Sequence, residues 1–447
     1  MKRGDGLKAV LLACASLAVA SMAHADEITV ATVNNPDMVM MQQLSAEFTK
    51  AHPDIKVNFA VLPDQVLRQN ITQDVAAGGG RYDVVTISPF EVQAGWAKNK
   101  WLVPLDPMFG ALSDADKKAY DLDDLIPTIR AALTTDGQLY GLPFYGESSF
   151  TMYRKDLFDA AGIKMPEAPT WDDIRAAACK LNDPSKGIYG ITMKGVPDYG
   201  QLAPFITFMH SYGAKWFDEN WHPQIDSEPF KKAFTAYVDL LKKCGEPGAT
   251  SVGFNESLTL MSQGKAAIWV DATVGAGFLA DPKSSQVVGK IGYALAPTEG
   301  SKNGSAWLYT WALGIVSSSK HQKDAFEFIR WATSKDYVDL VAKTAGPVRI
   351  PPGTRLSTYD RADYQQAAPF APVVLKAIEG ADLTKPAKDP VPYTGTAQVN
   401  IPEYAAWAAE FGQNFSAVIA GSMTVDEALK RSQEVAVRVM TDAGYIK

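Results

Sequence analysis

Histidine and cysteine are scarce in this chain of 447 residues, which has five of the first and three of the second. His52, His210, His222 and His321 are scattered, and no two share the helical spacing that would aim a pair at one metal ion. Cys14 lies in the amino-terminal segment, so Cys179 and Cys244 are too few for a multi-cysteine zinc site. In an oxidising compartment they suffice for one bridge; two buried free thiols are the alternative. The phosphate-binding Gly-Lys-Ser/Thr loop is absent, which excludes ATP hydrolysis by that route. Gly146-Glu147-Ser148-Ser149-Phe150 begins like a nucleophile elbow but lacks its closing glycine. Gly275-Ala276-Gly277-Phe278-Leu279-Ala280 matches a dinucleotide fingerprint, yet Asp281-Pro282 breaks the helix that would have to follow. The glycines there read as a close-packed turn. No cofactor and no bound metal are expected.

Long apolar runs are confined to the start. Lys2, Arg3 and Lys8 make a basic start, Leu7 to Met22 is almost wholly apolar, and Ala23-His24-Ala25 has the small-bulky-small pattern of a signal-peptidase site. Residues 1–25 are read as a signal peptide cleaved after Ala25. Leu11-Leu12-Ala13-Cys14 faintly resembles a lipoprotein site, but the apolar stretch continues past Cys14. The remaining chain has 40 basic and 49 acidic residues, a net charge of −9. An acidic surface argues against nucleic acid and anionic lipid as partners. Its length suggests two lobes rather than one core.

The patterning is strand, helix, strand. Ile28 to Val33 is an apolar run, and Met41, Leu44, Phe48 and Ala51 make one helical face between Pro36 and Pro53. Ile55, Val57, Phe59 and Val61 alternate as in a strand; a helix follows from Asp64 to Ala77, then a buried strand from Asp83 to Ile87. Such an order implies an α/β fold with a parallel sheet and ligands at the strands' carboxyl ends. Further helices are expected from Thr170, from Ser227, over 321–342 and over 423–443, with a strand over Ile291 to Ala296 and loops from Gly346 to Pro392. Trp307, Tyr309 and Trp311 alternate, so a strand would set all three rings on one face.

Six segments in order carry a resemblance over the whole chain beyond residue 25. They are Ala31-Thr32-Val33-Asn34-Asn35, Pro143-Phe144-Tyr145-Gly146-Glu147-Ser148-Ser149, Met152 to Leu157, Gly253-Phe254-Asn255-Glu256, Trp269-Val270-Asp271-Ala272-Thr273-Val274, and Asp389 to Tyr393. The chain resembles the extracytoplasmic solute-binding proteins of ABC importers, in the sugar-binding group and nearest its sorbitol/mannitol (polyol) binders. It departs from the polyol-binder pattern at 198–202 and 346–349. The resemblance implies a two-lobed clamshell with interleaved lobes. Lobe 1 would hold 26–144 and 296–345, and lobe 2 would hold 148–290 and most of 346–447. Hinge crossings would lie at 143–149 and 293–297.

The resemblance also implies ligand contacts. Asn34 and Asn35 end the first strand, Gln65 starts the next helix beside Asp64, and Phe90 with Glu91 follows the third strand. Glu147 sits in the hinge and Asp271 ends a strand; Tyr199, Trp307, Trp311 and Arg349 complete the set. The function implied is a periplasmic, monomeric receptor that hands a small polyol or monosaccharide to an ABC permease. An oligosaccharide receptor is the alternative within that class. From another class, a secreted carbohydrate-active enzyme could use Glu147 and Asp271 as its carboxylate pair.

Overall fold

The computed structural model describes residues 25–299 and 305–447. The expected signal peptide therefore lies outside the described residues, apart from Ala25. The strands are β1 (Asp26–Thr32), β2 (Ile55–Val61), β3 (Val84–Ile87), β4 (Thr134–Thr135), β5 (Gln138–Leu139), β6 (Leu142–Arg154), β7 (Tyr189–Thr192), β8 (Ala266–Ala272), β9 (Ile291–Leu295) and β10 (Leu308–Ile315). β4 and β5 form a small hairpin; the rest join in the order β2-β1-β3-β10-β6-β8-β7, with β9 also on β6.

β1 runs parallel to β2 and β3, as strand–helix–strand spacing requires, and β7 runs parallel to β8. The expectation of a parallel sheet fails at the centre. β10 is antiparallel to β3 and β6, and β6 is antiparallel to β8 and β9. The cause is the return path: β10 comes back after β9, from the far half of the sheet, rather than over a helical crossover beside β3.

β6 serves both halves. Residues 142–148 pair with β10, while residues 149–154 are flanked by β8 on one side and β9 on the other. Only Tyr153 of its thirteen residues is not buried. A strand buried on both faces needs apolar or well-partnered side chains throughout, so a carboxylate at its middle is costly unless something answers it.

The helices Pro36–Ala51 and Asp64–Ala77 follow β1 and β2 as expected. The helix Trp171–Leu181 begins with a capping box of Thr170 and Asp173, and the tail helix Val425–Asp442 with one of Thr424 and Glu427. Residues 321–342 hold two helices, Gln322–Ala332 and Lys335–Ala345, because Ser334 accepts from the Tyr337 amide and starts a new one. The stretch expected to be loop between Gly346 and Pro392 contains the short helices Leu356–Asp360, Ala362–Ala367 and Ala371–Glu379. Gly275 and Gly277 do pack closely: a Cβ on Gly275 would sit 2.7 Å from the Trp269 ring, and one on Gly277 2.9 Å from the Val348 carbonyl oxygen.

Cys179 and Cys244 are joined, with Cα atoms 4.9 Å apart. The bridge ties the helix Trp171–Leu181 to the end of the helix Glu228–Cys244. It spans 65 residues of sequence, and closing a loop of that size in the unfolded chain stabilises by about 4 kcal/mol. Denatured, unreduced protein lacking residues 1–25 is expected to show no titratable thiol. Two reactive thiols would refute the bridge.

Candidate functional site

A cavity of ≈ 360 Å³ lies between the end of β1 and the residues that follow β7 and β8, with β6 and β10 as its back wall. Register explains the wall. Glu147 on β6 stands opposite Tyr309 on β10, and Tyr145 stands opposite Trp311. The Tyr145 and Trp311 rings stack 6.0 Å apart, and Tyr309 meets Trp311 edge-on at 5.3 Å. Trp307, just before β10, lines the same cavity, and its buried indole nitrogen has no partner among the described residues.

Glu147 is 8% exposed and accepts from the Trp311 indole N–H at 3.3 Å. Burial pushes its carboxyl up to about 8; Lys194 acts against that, and Asp271 and Asp37 add to it. Lys194 follows β7 and Asp271 is the penultimate residue of the neighbouring parallel strand β8, so their side chains meet, at 3.1 Å. Asp271 is fully buried and also accepts from the Trp269 indole at 3.2 Å and the Ala272 amide at 2.7 Å.

The first half adds polar groups from two helix starts. Asn35 precedes the helix Pro36–Ala51 without capping it, and instead donates to the Tyr145 hydroxyl at 2.9 Å. Asp37 in the first turn is buried, its carboxyl pushed up to about 6 by burial against the pull of Arg349, 3.7 Å away. Asp64 pairs with Arg68 at 3.0 Å, and Arg68 in turn donates to the Tyr309 hydroxyl at 2.8 Å and pairs with Glu91. Across the cavity, Asp198 accepts from Gln65 at 2.9 Å and from the Gly200 amide at 2.8 Å.

An aromatic wall beside converging hydroxyl acceptors suits a small polyhydroxylated molecule. Residues 34–339 match the family described as "Bacterial extracellular solute-binding protein". The chain belongs to that family. The solute-binding protein is 46% identical to the mannitol-binding protein of Pseudomonas aeruginosa, over 99% of this chain and 100% of that one. It superposes with a TM-score of 0.91 on an ABC transporter solute-binding protein of Agrobacterium vitis with bound D-mannitol, at 50% identity over 95% of this chain and 100% of that one. A solute-binding protein of Agrobacterium radiobacter in complex with ribitol follows at a TM-score of 0.81 and 27% identity, over 92% and 98% of the two chains. The two-lobed periplasmic-binding-protein fold implied by the resemblance is the fold of this chain. These relatives are binding proteins rather than enzymes.

Of the residues singled out in the sequence, the solute-binding protein brings Asn34, Asn35, Glu147, Tyr199, Trp307 and Trp311 to the cavity lining. It places the other five behind that lining, each held by a structural partner. Gln65 is bonded to Asp198, and Phe90 packs on Tyr404 with ring centroids 5.6 Å apart. Glu91 closes a capping box with Ser88 as well as pairing with Arg68. Arg349 lies 3.3 Å from Asp281 and over the Phe278 ring, between Asp281 and Asp37. Asp271 sits behind Lys194, so it and Glu147 do not face one cavity as a hydrolytic pair would. The sequence reading missed Lys194, Asp37 and Gln398. A signal existed for Lys194: a charged residue two positions beyond the apolar strand β7, at its carboxyl end.

Proposed function

We propose that this solute-binding protein captures an acyclic polyol of about mannitol's size outside the cytoplasm and passes it unchanged to a membrane permease. One observation carries the reading: Tyr145, Trp307, Tyr309 and Trp311 wall a ≈ 360 Å³ cavity into which Glu147 turns. The rings cover the carbon chain, and the carboxylate takes hydroxyl hydrogens. Two relatives named for or bound to mannitol, and one bound to ribitol, support the ligand class. The cavity lies toward the small end of ligand sites, which favours a monosaccharide-sized ligand over an oligosaccharide.

The lobes proposed are residues 26–144 with 296–345, and 148–290 with most of 346–447, closing about 143–149 and 293–297. The seam at 345/346 is not clean. Thr354 accepts from the Ile126 amide at 2.9 Å, and Arg355 pairs with Asp124 at 3.1 Å, so this part of the chain is fastened to the first lobe. Export is proposed through cleavage after Ala25, with a monomer released to the periplasm.

Calorimetry against mannitol, sorbitol, arabitol, ribitol and maltose tests the reading. One-to-one binding is expected, tightest for a hexitol, with the ligand recovered intact. Binding of maltose alone would overturn the polyol class, and product in excess of protein would overturn the receptor. Amino-terminal sequencing of exported protein is expected to start at Asp26; a lipidated Cys14 would contradict it.

A further inference from the structure

Charge around the cavity is unevenly spent. Asp37, Asp64, Glu147, Asp198 and Glu256 line it, against Lys194 as the one lysine or arginine of the lining among the described residues. Arg68 and Arg349 answer Asp64 and Asp37 from behind and do not reach the lining. Lys194 is itself 6% exposed and bound at 3.1 Å to Asp271, a fully buried carboxylate outside the lining. Its ammonium is thus committed to the Asp271 carboxylate. Glu147 is left with a neutral donor, the Trp311 indole.

Resting on the polyol reading, we propose that Asp271 is a specificity-determining residue: by holding Lys194 in a buried ion pair it leaves Glu147 with no ion-pair partner of its own, so the site accepts neutral polyols and rejects their anionic counterparts, the hexonates and hexitol phosphates. A polyol hydroxyl donates to Glu147 at no cost in charge. A ligand carboxylate placed in the same dry cavity meets like charge, and among the described residues no uncommitted cation of the lining is available to pair with it. The groups whose charge acts on Glu147 are Lys194, which favours its ionised form, and Asp271 and Asp37, which oppose it; Tyr145 and Tyr309 beside it are neutral hydroxyls. Because burial pushes the Glu147 carboxyl up to about 8, its full charge is present only above that value, and the rejection steepens with pH.

Calorimetry with mannitol and with mannonate, which differ at one end of the same carbon chain, tests this at pH 6.5 and 9. In the wild-type protein mannonate is expected to bind at least about 100-fold more weakly than mannitol at pH 9, and by a smaller ratio at pH 6.5. Asp271→Asn keeps the shape and frees the ammonium, and is expected to narrow the pH 9 ratio by about tenfold or more. Glu147→Gln removes the Glu147 charge without touching the Lys194–Asp271 pair and is expected to narrow it as well, which decides the matter if Asp271→Asn does not fold. Mannonate binding the wild type within about threefold of mannitol sinks the charge filter alone. So does a ratio that neither substitution changes. Failure of mannitol and every other polyol to bind sinks the polyol reading, and the filter with it.

Discussion

Glu147→Ala is expected to weaken binding of the preferred polyol by roughly 30- to 1000-fold, the equivalent of about 2 to 4 kcal/mol. The carboxylate sits midway along β6, where the strand changes partners from β10 to β8 and β9, so both halves of the sheet fix its position. It is 8% exposed. Ligand hydroxyls that replace water there lose their solvent partners and need an acceptor in return. An ionised acceptor makes the stronger hydrogen bond. Truncation also orphans the Trp311 indole N–H, which has Glu147 as its acceptor at 3.3 Å. Glu147→Gln keeps the volume and an acceptor oxygen and should lose less than Glu147→Ala. Glu91→Gln, behind the lining, is the control. Calorimetry on folded variants decides: Glu147→Ala within about threefold of wild type would place the site elsewhere.

The first three strands and their helices were legible because each signal is local. Apolar alternation in β2, and the helical face of Met41, Leu44 and Phe48, need no distant partner to be read. The antiparallel centre was not legible, since β10 meets β6 across about 160 residues of chain and nothing local states which end it enters from. The helix Tyr404–Ala420 went unread for a related reason. Its Trp407, Phe411 and Phe415 bury against Trp216, Phe205 and Phe234, while alanines on the remaining surface blur the apolar stripe.

The site divides the same way. Glu147 and the alternating aromatics of β10 are visible because a charge or a run of rings is odd within its own strand. Asp271 is odd in the same manner and Glu91 stands just past β3, and the structure spends both, on partners 77 and 23 residues away, Lys194 and Arg68. A buried acid looks alike in sequence whether it faces a cavity or an ion pair. Only the position of the cation tells the two apart.

Stability of the ligand-free protein is expected to fall as pH rises from 6.5 to 9, the reverse of what paired surface carboxylates would produce. Burial pushes Glu147 up to about 8 and Glu246 up to about 7, both from an ordinary value of 4.5. Each group therefore holds a proton in the folded state that it has already lost when unfolded. A raised folded value means the contribution is complete below about 4.5 and disappears as pH climbs through 7 and 8. Each such proton sets a slope of at most about 1.4 kcal/mol per pH unit. His210 works in the opposite sense: burial pulls it down to about 4, so its contribution is lost as pH falls from the ordinary 6.5, which offsets the slope of one glutamate but not of both. The melting temperature is then expected to drop as pH rises from 4.5 to about 8, with Asp37, pushed up to about 6, adding to the loss at the acid end of that range. Glu147→Gln, which titrates nothing, should flatten that drop over its whole length. A saturating polyol should flatten it too, because hydroxyls donated to Glu147 favour the charged form that burial disfavours. The same coupling means that polyol uptake near neutral pH releases protons and tightens as pH rises toward 8. Melting curves at pH 6.5, 7.5 and 8.5, with and without mannitol, read both effects. A wild-type profile that is flat or rising over this range would show that Glu147 is already ionised in the empty cavity.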